Sequence, residues 1–363
     1  MSQISWQATL DIIGIAGFDY EFNALNTEGA KNELNEAFKT VIGKLQGFTM
    51  FDVVQVTVPL LRRLIATEVM DRLGRQLIRS KKQVILAEAL ARGKSGAQTY
   101  VEKNIVTTRD LLSRLIMANM ANDLPDNQRL TDDEVLAQIP TFLVAGHETT
   151  ATATTWCLYA VSLDQKVQQK LREELLRVET ESPTMDELNA LPYLDAVVKE
   201  TMRLHAAVPY SQRVATQDDV VPLGQPFTDK KGRVKHEIAV KKGDRILIPI
   251  ICVNRSKDIW GQDAHEFKPE RWLNLPDKAS DIPGLIPGLL SFLAGPRACI
   301  GYRFSMVEFK CLIFALIRGF QFELAVAPEQ IGKKSTVVTR PVVKSELEKG
   351  PQLPLKITPY IDS

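Results

Sequence analysis

The chain has 363 residues, enough for one large domain or two ordinary ones, with a core large enough to enclose a cofactor. Its 45 Lys and Arg residues nearly balance 44 Asp and Glu residues, which excludes the basic charge excess of a nucleic-acid-binding protein, so we expect small molecules and proteins as partners. The four cysteines show neither a Cys-x-x-Cys pair nor a dense disulfide pattern, which indicates a reducing compartment.

No transmembrane segment is predicted. Residues 1–22 lack the ordered basic cluster, apolar run and cleavage site of a signal peptide or membrane anchor. The longest apolar stretch, residues 139–163, contains His147 and Glu148 near its centre, and ionisable residues there are costly in lipid. We therefore interpret this stretch as a buried helix.

The first third of the chain is predicted to be helical. Apolar residues at helical spacing predict helices over residues 4–15 and 32–45. Residues 69–92 form a basic amphipathic helix, whose charges we interpret as a solvated face. The polar stretch 94–106 predicts a loop, which is followed by a short helix over residues 110–119.

A long helix is predicted in the middle of the chain. Thr131 and Glu134 have the spacing of a capping box, and the helical pattern continues to about residue 162. Pro140, Gly146 and a run of threonines break the usual rules for a helix interior. These departures indicate a functional distortion of the helix.

The remainder mixes helices, short strands and one long loop. Thr184 and Glu187 form a second capping box before helical stretches that end at Leu204. Residues 254–295, rich in Pro, Gly and Asp, predict a long functional loop. The other predicted elements are strands over 212–215, 238–240 and 245–250, a helix over 305–320, and short strands within 322–357. No repeat or clean boundary divides the chain, so we predict a single domain over residues 1–363.

The stretch from Phe292 to Gly301 carries the strongest chemical signal. Cys299 is expected just before a helix N-terminus, where the helix dipole and free N–H groups stabilise a thiolate suited to metal binding. Gly295 can form a tight turn, and Gly301 permits close approach of a flat cofactor. Arg297 places a positive charge near the thiolate, where it suits a carboxylate. A lone cysteine is usually a small buried hydrophobic residue, but these spacings together favour a ligand.

This stretch fills every fixed position of Phe-x-x-Gly-x-Arg-x-Cys-x-Gly and resembles the haem-binding loop of the cytochrome P450 family. The resemblance implies haem b as cofactor, with the Cys299 thiolate as the axial iron ligand and Arg297 at a haem propionate. It also implies a fold that is mainly α with small β-sheets (α+β), here the cytochrome P450 fold lacking its N-terminal helices and part of its first sheet.

Residues 145–150, Ala-Gly-His-Glu-Thr-Thr, resemble the oxygen-activation motif of the same family. Ala145 and Gly146 would lie against the cofactor, because a glycine lets a planar ligand approach the backbone. Thr149 can bind a backbone carbonyl, and its hydroxyl beside the Glu148 carboxylate suits a proton relay, which makes these two the catalytic residues. The rival interpretation, a His-Glu-x-x-His metalloprotease, fails because position 151 is Ala151.

Glu200 and Arg203 are three residues apart on one predicted helix and can pair. Most such pairs are surface ion pairs of little consequence. Here they resemble the Glu-x-x-Arg helix of the family, and residues 267–272 resemble its Pro-Glu-Arg-Phe loop, which implies a structural triad with Arg271 that locks the long loop under the haem. Trp272 replaces the commoner Phe and is expected to alter packing alone.

Further residues are assigned by resemblance. Arg213, within Gln-Arg-Val, occupies the place of a second propionate-binding arginine. The expected substrate pocket is mostly apolar, which favours an apolar substrate, although each residue could equally belong to ordinary core packing. Its residues are Phe142, Ala145, Val208, Pro209, Tyr210, Val342 and Val343.

Two functional hypotheses stay open. The first is a monooxygenase that takes electrons from NADPH-cytochrome P450 reductase and inserts one oxygen atom of O2 into a lipophilic small-molecule substrate. The sequence resembles fungal microsomal members of secondary metabolism, so a terpenoid or similar metabolite is expected, and a complete member would reside at the endoplasmic reticulum membrane. The second is a non-catalytic truncated fragment with impaired haem and substrate binding, because N-terminal elements of the family, including one wall of the pocket, have no counterpart here.

Overall fold

The computed structural model describes residues 2–26, 68–91, 110–120 and 125–361. Within these ranges the protein is mainly helical with small antiparallel sheets, which confirms the predicted fold class. The predicted helix over 32–45 and the predicted loop over 94–106 lie outside the described residues. Division of the chain into domains stays a prediction.

The helices of the described ranges include those that the sequence predicted there, with ends shifted by a few residues, and four that it did not predict, Gln165–Leu176, Ile250–Asn254, Lys257–Trp260 and Asp277–Ser280. In chain order they are α1 (Ser2–Phe18), α2 (Glu68–Ala91), α3 (Leu111–Met120), α4 (Asp132–Leu163), α5 (Gln165–Leu176), α6 (Met185–Asn189), α7 (Pro192–Leu204), α8 (Ile250–Asn254), α9 (Lys257–Trp260), α10 (Asp277–Ser280) and α11 (Tyr302–Gly319).

The strands form four two-stranded antiparallel sheets, which pair β1 with β4, β2 with β3, β5 with β8 and β6 with β7. The strands are β1 (Ser211–Val214), β2 (Asp219–Thr228), β3 (Val234–Val240), β4 (Arg245–Ile248), β5 (Phe320–Leu324), β6 (Ile331–Ser335), β7 (Thr339–Val343) and β8 (Leu355–Pro359). Strand β2 was not predicted, because nearly all its residues are exposed and it lacks the alternating burial that marks a half-buried strand.

Helix α4 is the central element of the structure. It extends for 32 residues, about 48 Å, and begins at the predicted capping box. The Thr131 hydroxyl accepts a hydrogen bond from the Glu134 backbone, and the Glu134 carboxylate accepts one from the Thr131 backbone, at 3.2 and 2.7 Å. Pro140 lies inside the helix without ending it. The residues that break the usual rules for a helix interior therefore do not interrupt α4.

Two apolar cores lie along α4. The first joins α1, α2 and α3 to its N-terminal half through Leu10, Ile78, Ile116 and Leu143, all of them buried. The second joins α5, α7 and α11 to its C-terminal half. Helix α4 thus reaches both cores, so the residues at its middle, 145–150, lie where the two halves of the structure meet.

The basic face of α2 is only partly solvated, which corrects the expectation from sequence. Lys81 is 9% exposed and pairs with Asp19 and Asp110 at 2.9 and 3.3 Å. Lys82 pairs with Asp132 at 2.6 Å. The acidic partners come from the end of α1 and from segments next to α3 and α4, so the predicted helix was right while its long-range partners were not foreseeable from local pattern.

Candidate active site

The loop before α11 has a sharply folded backbone. The Cys299 backbone N–H donates to the Phe292 carbonyl at 2.9 Å, which closes the loop on itself. Leu293 and Gly295 have φ angles of 58° and 69°, in the left-handed region that glycine adopts without strain. The loop therefore turns back and places Cys299 two residues before Gly301, the N-cap residue of α11.

The Cys299 side chain is exposed, and its surroundings are open on one side. A Cβ atom on Gly301 would meet no atom within 4 Å. Desolvation raises the pKa of the Cys299 thiol above its ordinary value, and the hydrogen bond with the Gly301 backbone lowers it only in part. A coordinated metal cation favours the thiolate, because a metal-bound thiol is deprotonated.

Helix α11 brings the cysteine loop beside the middle of α4. The Ser305 hydroxyl, in the first turn of α11, lies 3.2 Å from the Thr150 hydroxyl of α4. Phe304 packs on the first core, and Phe292 packs on the second. The loop that carries Cys299 is therefore fixed next to the segment that begins at Ala145.

The α4 segment presents Ala145 and Thr149 away from the cores. Ala145 is exposed, and the Thr149 hydroxyl donates to the Ala145 carbonyl at 2.7 Å, the hydrogen bond that the sequence predicted. Gly146 instead faces α1, because a Cβ there would come within 3.0 Å of the Ile13 side chain. Gly146 thus permits close packing of α1 on α4, which differs from the position expected of a cofactor-binding glycine.

His147 takes part in helix packing. It is buried, its Nδ1 lies 2.7 Å from the Leu143 carbonyl, and its ring meets the edge of Trp6 at a centroid distance of 4.9 Å. Burial lowers the pKa of His147 to about 4, so the imidazole is neutral at physiological pH. Within the described ranges, no group of three His, Cys, Asp or Glu residues is placed to hold a metal ion.

Glu148 has a partner that sequence analysis missed. It forms an ion pair with Arg340 of β7, and both side chains are largely buried. Burial lowers the pKa of Arg340 to about 10, which leaves the guanidinium charged at neutral pH. Thr149 donates its hydrogen bond to the Ala145 carbonyl. Glu148 and Thr149, the two residues of the predicted proton relay, therefore contact different groups. One feature of the sequence could have indicated this pair: Arg340 lies within an apolar strand, and a buried arginine requires an anionic neighbour.

Glu200, Arg203 and Arg271 come together as the sequence suggested, in a buried network. Arg203 donates to both Glu200 carboxylate oxygens at 2.8 and 2.9 Å, and Arg271 Nε donates to Glu200 Oε1 at 2.9 Å. Glu200 and Arg203 are 0% exposed. The indole N–H of Trp272 also donates to Glu200, at 2.9 Å, so the expectation that Trp272 alters packing alone is wrong.

The same network fastens the long loop to α7. Arg203 donates to the carbonyls of Asn254, Ala264 and Glu266 at 2.9, 2.6 and 3.1 Å. A guanidinium has five N–H donors in a fixed plane, which lets one side chain bind a carboxylate and several carbonyls at once. These contacts are what a triad requires if it holds the fold together and takes no part in the reaction.

The two arginines that the resemblance assigns to haem propionates have no carboxylate partner among the described residues. Arg297 is exposed in the 3-10 turn Gly295–Arg297. Arg213 donates only to the Ser211 hydroxyl and the Gln212 carbonyl, both at 2.8 Å. Both guanidinium charges are thus available to an anionic group from outside the chain.

The predicted substrate residues have different surroundings in the described part of the chain. Phe142 packs on the first core, and Val208 and Tyr210 are half-buried after α7. Pro209 lines a cavity of about 210 Å³. Val342 and Val343 are buried in β7, beyond the turn that residues 336–338 form between β6 and β7.

No helix within the described ranges is both long and apolar enough to cross a membrane. This agrees with the interpretation of residues 139–163 as a buried helix, because most of α4 in that stretch packs inside the protein.

The chain is similar to fungal proteins of one family. It is 56% identical to cytochrome P450 monooxygenase 205 and 49% identical to cytochrome P450 monooxygenase 128, both from Postia placenta, over 97% of its own length and 65% of each relative. It is 33% identical to ganoderic acid synthetase CYP5150L8 of Ganoderma lucidum, over 97% of the chain and 67% of that protein. The chain thus spans about 65% of the two Postia relatives. The model of the family named Cytochrome P450 matches residues 1–347, and the chain belongs to the cytochrome P450 family.

Proposed function

We propose that the protein is a haem-thiolate monooxygenase, which inserts one oxygen atom of O2 into a lipophilic small molecule while the other is reduced to water. The observation that carries this proposal is the exposed Cys299 side chain, which lies at the start of α11 and is fixed beside α4 by the contact of Ser305 with Thr150. Family membership gives the same reaction class.

The residues present fit a haem group. Cys299 would bind its iron, Phe292 and Gly301 would border it in the loop, and Arg297 and Arg213 would bind its propionates, since neither arginine has a carboxylate partner in the described chain. Gly301 fits because no atom lies within 4 Å of the place where its Cβ would be. Haem with a thiolate ligand supplies the activation of dioxygen.

Thr149 is the proposed catalytic hydroxyl. Its hydrogen bond to the Ala145 carbonyl holds the Thr149 oxygen at a defined position on the exposed side of α4. A hydroxyl has one O–H and two lone pairs. For proton relay, the Thr149 O–H must therefore leave the Ala145 carbonyl and turn toward the acceptor, while a lone pair of its oxygen takes the incoming proton. Ala145, exposed one turn earlier, would contact the cofactor.

Glu148 is the proposed source of protons for that relay, with a condition set by Arg340. The guanidinium favours the carboxylate form of Glu148, because an adjacent positive charge stabilises the ionised acid. For proton delivery, the Glu148 carboxylate must rotate away from Arg340, take up a proton from solvent water and pass that proton to the Thr149 hydroxyl. We propose that the ion pair is the resting state and that this rotation accompanies turnover.

The glutamate-arginine network is proposed to act on structure. The hydrogen bonds of Glu200, Arg203 and Arg271 tie α7 to residues 254–272 of the long loop. They fix the loop that continues to Cys299. Loss of this network should therefore reduce haem binding through the fold, with no direct chemical effect.

The substrate and partners follow from family and composition. Ganoderic acid synthetase CYP5150L8 is named for ganoderic acid, and other relatives are named only as monooxygenases. We propose a terpenoid or another lipophilic secondary metabolite for this protein, with NADPH-cytochrome P450 reductase as electron donor, and residence of the whole protein at the endoplasmic reticulum membrane.

Turnover with isotopically labelled dioxygen tests this proposal. The haem-loaded protein is combined with NADPH-cytochrome P450 reductase, NADPH, 18O2 and a panel of terpenoids, and products are analysed by mass spectrometry. We expect one 18O atom in each oxygenated product and none when Cys299→Ser replaces the wild type. Haem-loaded protein that consumes no NADPH with the reductase would instead favour the non-catalytic hypothesis.

A further inference from the structure

A cavity of about 210 Å³ lies beyond the cysteine site, at the C-terminal half of α4. Trp156 of α4, His205 at the end of α7, Ile251 of α8 and Thr339 at the start of β7 contribute to its lining. Trp156 is seven residues after Thr149, about 10 Å along the helix axis. The cavity is therefore distinct from the segment proposed to face the haem.

Two basic side chains line the cavity without a balancing acid. They are Arg255 and Lys333, and none of the lining residues is a carboxylate. The Arg255 Nε is buried and has no hydrogen-bond partner. Desolvation, followed by repulsion from Arg255, lowers the pKa of Lys333 to about 8. Desolvation likewise lowers the pKa of Arg255.

A third polar group of the cavity also lacks a partner. The His205 ring stacks on Trp156 with centroids 4.7 Å apart and planes 8° from parallel, and its Nδ1 is buried without a hydrogen bond. Desolvation and the charges of Lys333 and Arg255 lower the pKa of His205 well below its ordinary value. The neutral ring can donate one hydrogen bond and accept another.

The remaining walls are apolar. Trp156, Ala206, Pro209 and Ile251 supply them, so the cavity offers nonpolar contact beside the two cations. Its volume is about seven times the ~30 Å³ that one molecule occupies in liquid water. An inorganic ion would leave the apolar walls without contacts, whereas an organic acid of a few carbon atoms matches both surfaces.

We propose that this cavity, the Arg255 pocket, binds the carboxylate of an organic acid. A partly buried guanidinium with a buried, unsatisfied Nε–H and no carboxylate among the residues that line its cavity is unfavourable, and a bound carboxylate relieves both defects through charge-assisted hydrogen bonds. The same chemistry has two sources: a free short-chain acid, or the carboxylate end of a larger lipophilic molecule. This site goes beyond the proposed monooxygenase activity, because its residues are separate from Cys299 and Thr149.

Calorimetric titration of the full chain with butyrate and with its neutral isostere butyramide tests the pocket. We expect butyrate to bind at least about tenfold more tightly, since a hydrogen bond to a charged group contributes ~1.5–3 kcal/mol. Arg255→Met should weaken butyrate binding by about tenfold or more for the same reason. The titration requires neither haem nor turnover, so its failure is distinguishable from failure of the proposed activity.

Neighbouring lysines on β6 provide a matched pair of variants. Lys333 lines the pocket, whereas Lys334 follows it on the opposite side of the strand. Lys334 is exposed, and Lys333 keeps contact with solvent although its ammonium group lies 5.2 Å from the centre of the Trp156 ring, so neither replacement threatens the fold. Lys333→Met should weaken butyrate binding about tenfold, the effect expected from the loss of one charge-assisted hydrogen bond. Lys334→Met should leave butyrate binding unchanged.

Equal affinity for butyrate and butyramide, undetectable butyrate binding, or equal effects of Lys333→Met and Lys334→Met would each overturn the proposal.

Titration with decanoate identifies the source of the carboxylate. If decanoate binds more tightly than butyrate, and Lys333→Met weakens the binding of both acids, the ligand is the acid group of a lipophilic molecule. If the two bind alike and both depend on Lys333, the ligand is a free short-chain acid.

Discussion

Glu148, in the middle of α4, forms an ion pair with Arg340 of β7, 192 positions later in the chain. Both side chains are largely buried, at 9% and 12% exposure. The pair links the helix that carries the proposed oxygen-activation motif to the β6–β7 hairpin. Its loss should therefore affect the stability of the fold as well as proton transfer.

Replacing Arg340 should be more harmful than replacing both partners. Arg340→Met leaves a buried carboxylate without its counter-charge, and we expect the free energy of unfolding to fall by about 3–5 kcal/mol. The double variant Glu148→Gln with Arg340→Met should recover part of that loss, because no buried charge remains. Urea denaturation of the two single variants and the double variant measures this coupling. Strict additivity of the three values would contradict a direct ion pair.

Thr149→Ala should uncouple electron use from product formation while haem content stays unchanged. The matched control is Thr141→Ala, because Thr141 makes the same type of hydrogen bond, to the Ala137 carbonyl at 3.1 Å, about two turns earlier. We expect more hydrogen peroxide per NADPH in the Thr149 variant and no change in the Thr141 variant. Equal coupling in both variants would remove Thr149 from the proposed relay.

Glu200→Gln should destabilise the protein far more than the same change at Glu270. Glu200 is fully buried and binds two arginines, so its removal leaves buried charges unpaired at a cost of about 3–5 kcal/mol. Glu270 pairs with Lys170 on the surface, where such a pair contributes ~1 kcal/mol or less. Thermal unfolding and haem retention should both separate the two variants. A haem-loaded Glu200→Gln protein of wild-type stability would refute the structural role.

Glu308 should make stability depend on pH between about 4.5 and 8. This α11 residue is buried, neither carboxylate oxygen has a hydrogen-bond partner among the described residues, and desolvation raises its pKa to about 8. The folded state then binds more protons than the unfolded state in that interval, so stability falls as pH rises through it and levels off above pH 8.

Glu308→Gln provides the comparison for this pH effect. The variant cannot ionise at position 308, so the difference in unfolding free energy between wild type and variant isolates the contribution of Glu308. We expect that difference to change steadily between pH 5 and 8 in favour of the variant. Parallel pH profiles for the two proteins would show that Glu308 does not stay protonated in the folded state.

Local pattern predicted much of the fold and part of the site. The capping boxes at Thr131 and Thr184 appear as expected, because each depends on residues three positions apart. The bond from Thr149 to Ala145 and the pair of Glu200 with Arg203 are likewise local to one helix. Such contacts follow from helical geometry and therefore can be inferred from sequence.

The contacts that were missed depend on tertiary packing. Arg340 meets Glu148, Trp272 donates to Glu200, and Gly146 faces Ile13 only because distant segments fold together. The spacing of a motif specifies which residues share a helix, but it does not specify which residues of a distant segment contact that helix. The family pattern has Phe where this chain has Trp272, so the extra hydrogen bond could not be taken from the resemblance.

Reduction of the haem-loaded protein in the presence of carbon monoxide tests the central claim, Cys299 as thiolate ligand, most directly. The matched control is Cys311→Ser, which removes another exposed cysteine from α11. The account predicts a strongly red-shifted Soret band, typical of thiolate ligation, in the wild type and in Cys311→Ser, and loss of that band in Cys299→Ser. A red-shifted band that persists in Cys299→Ser would contradict it.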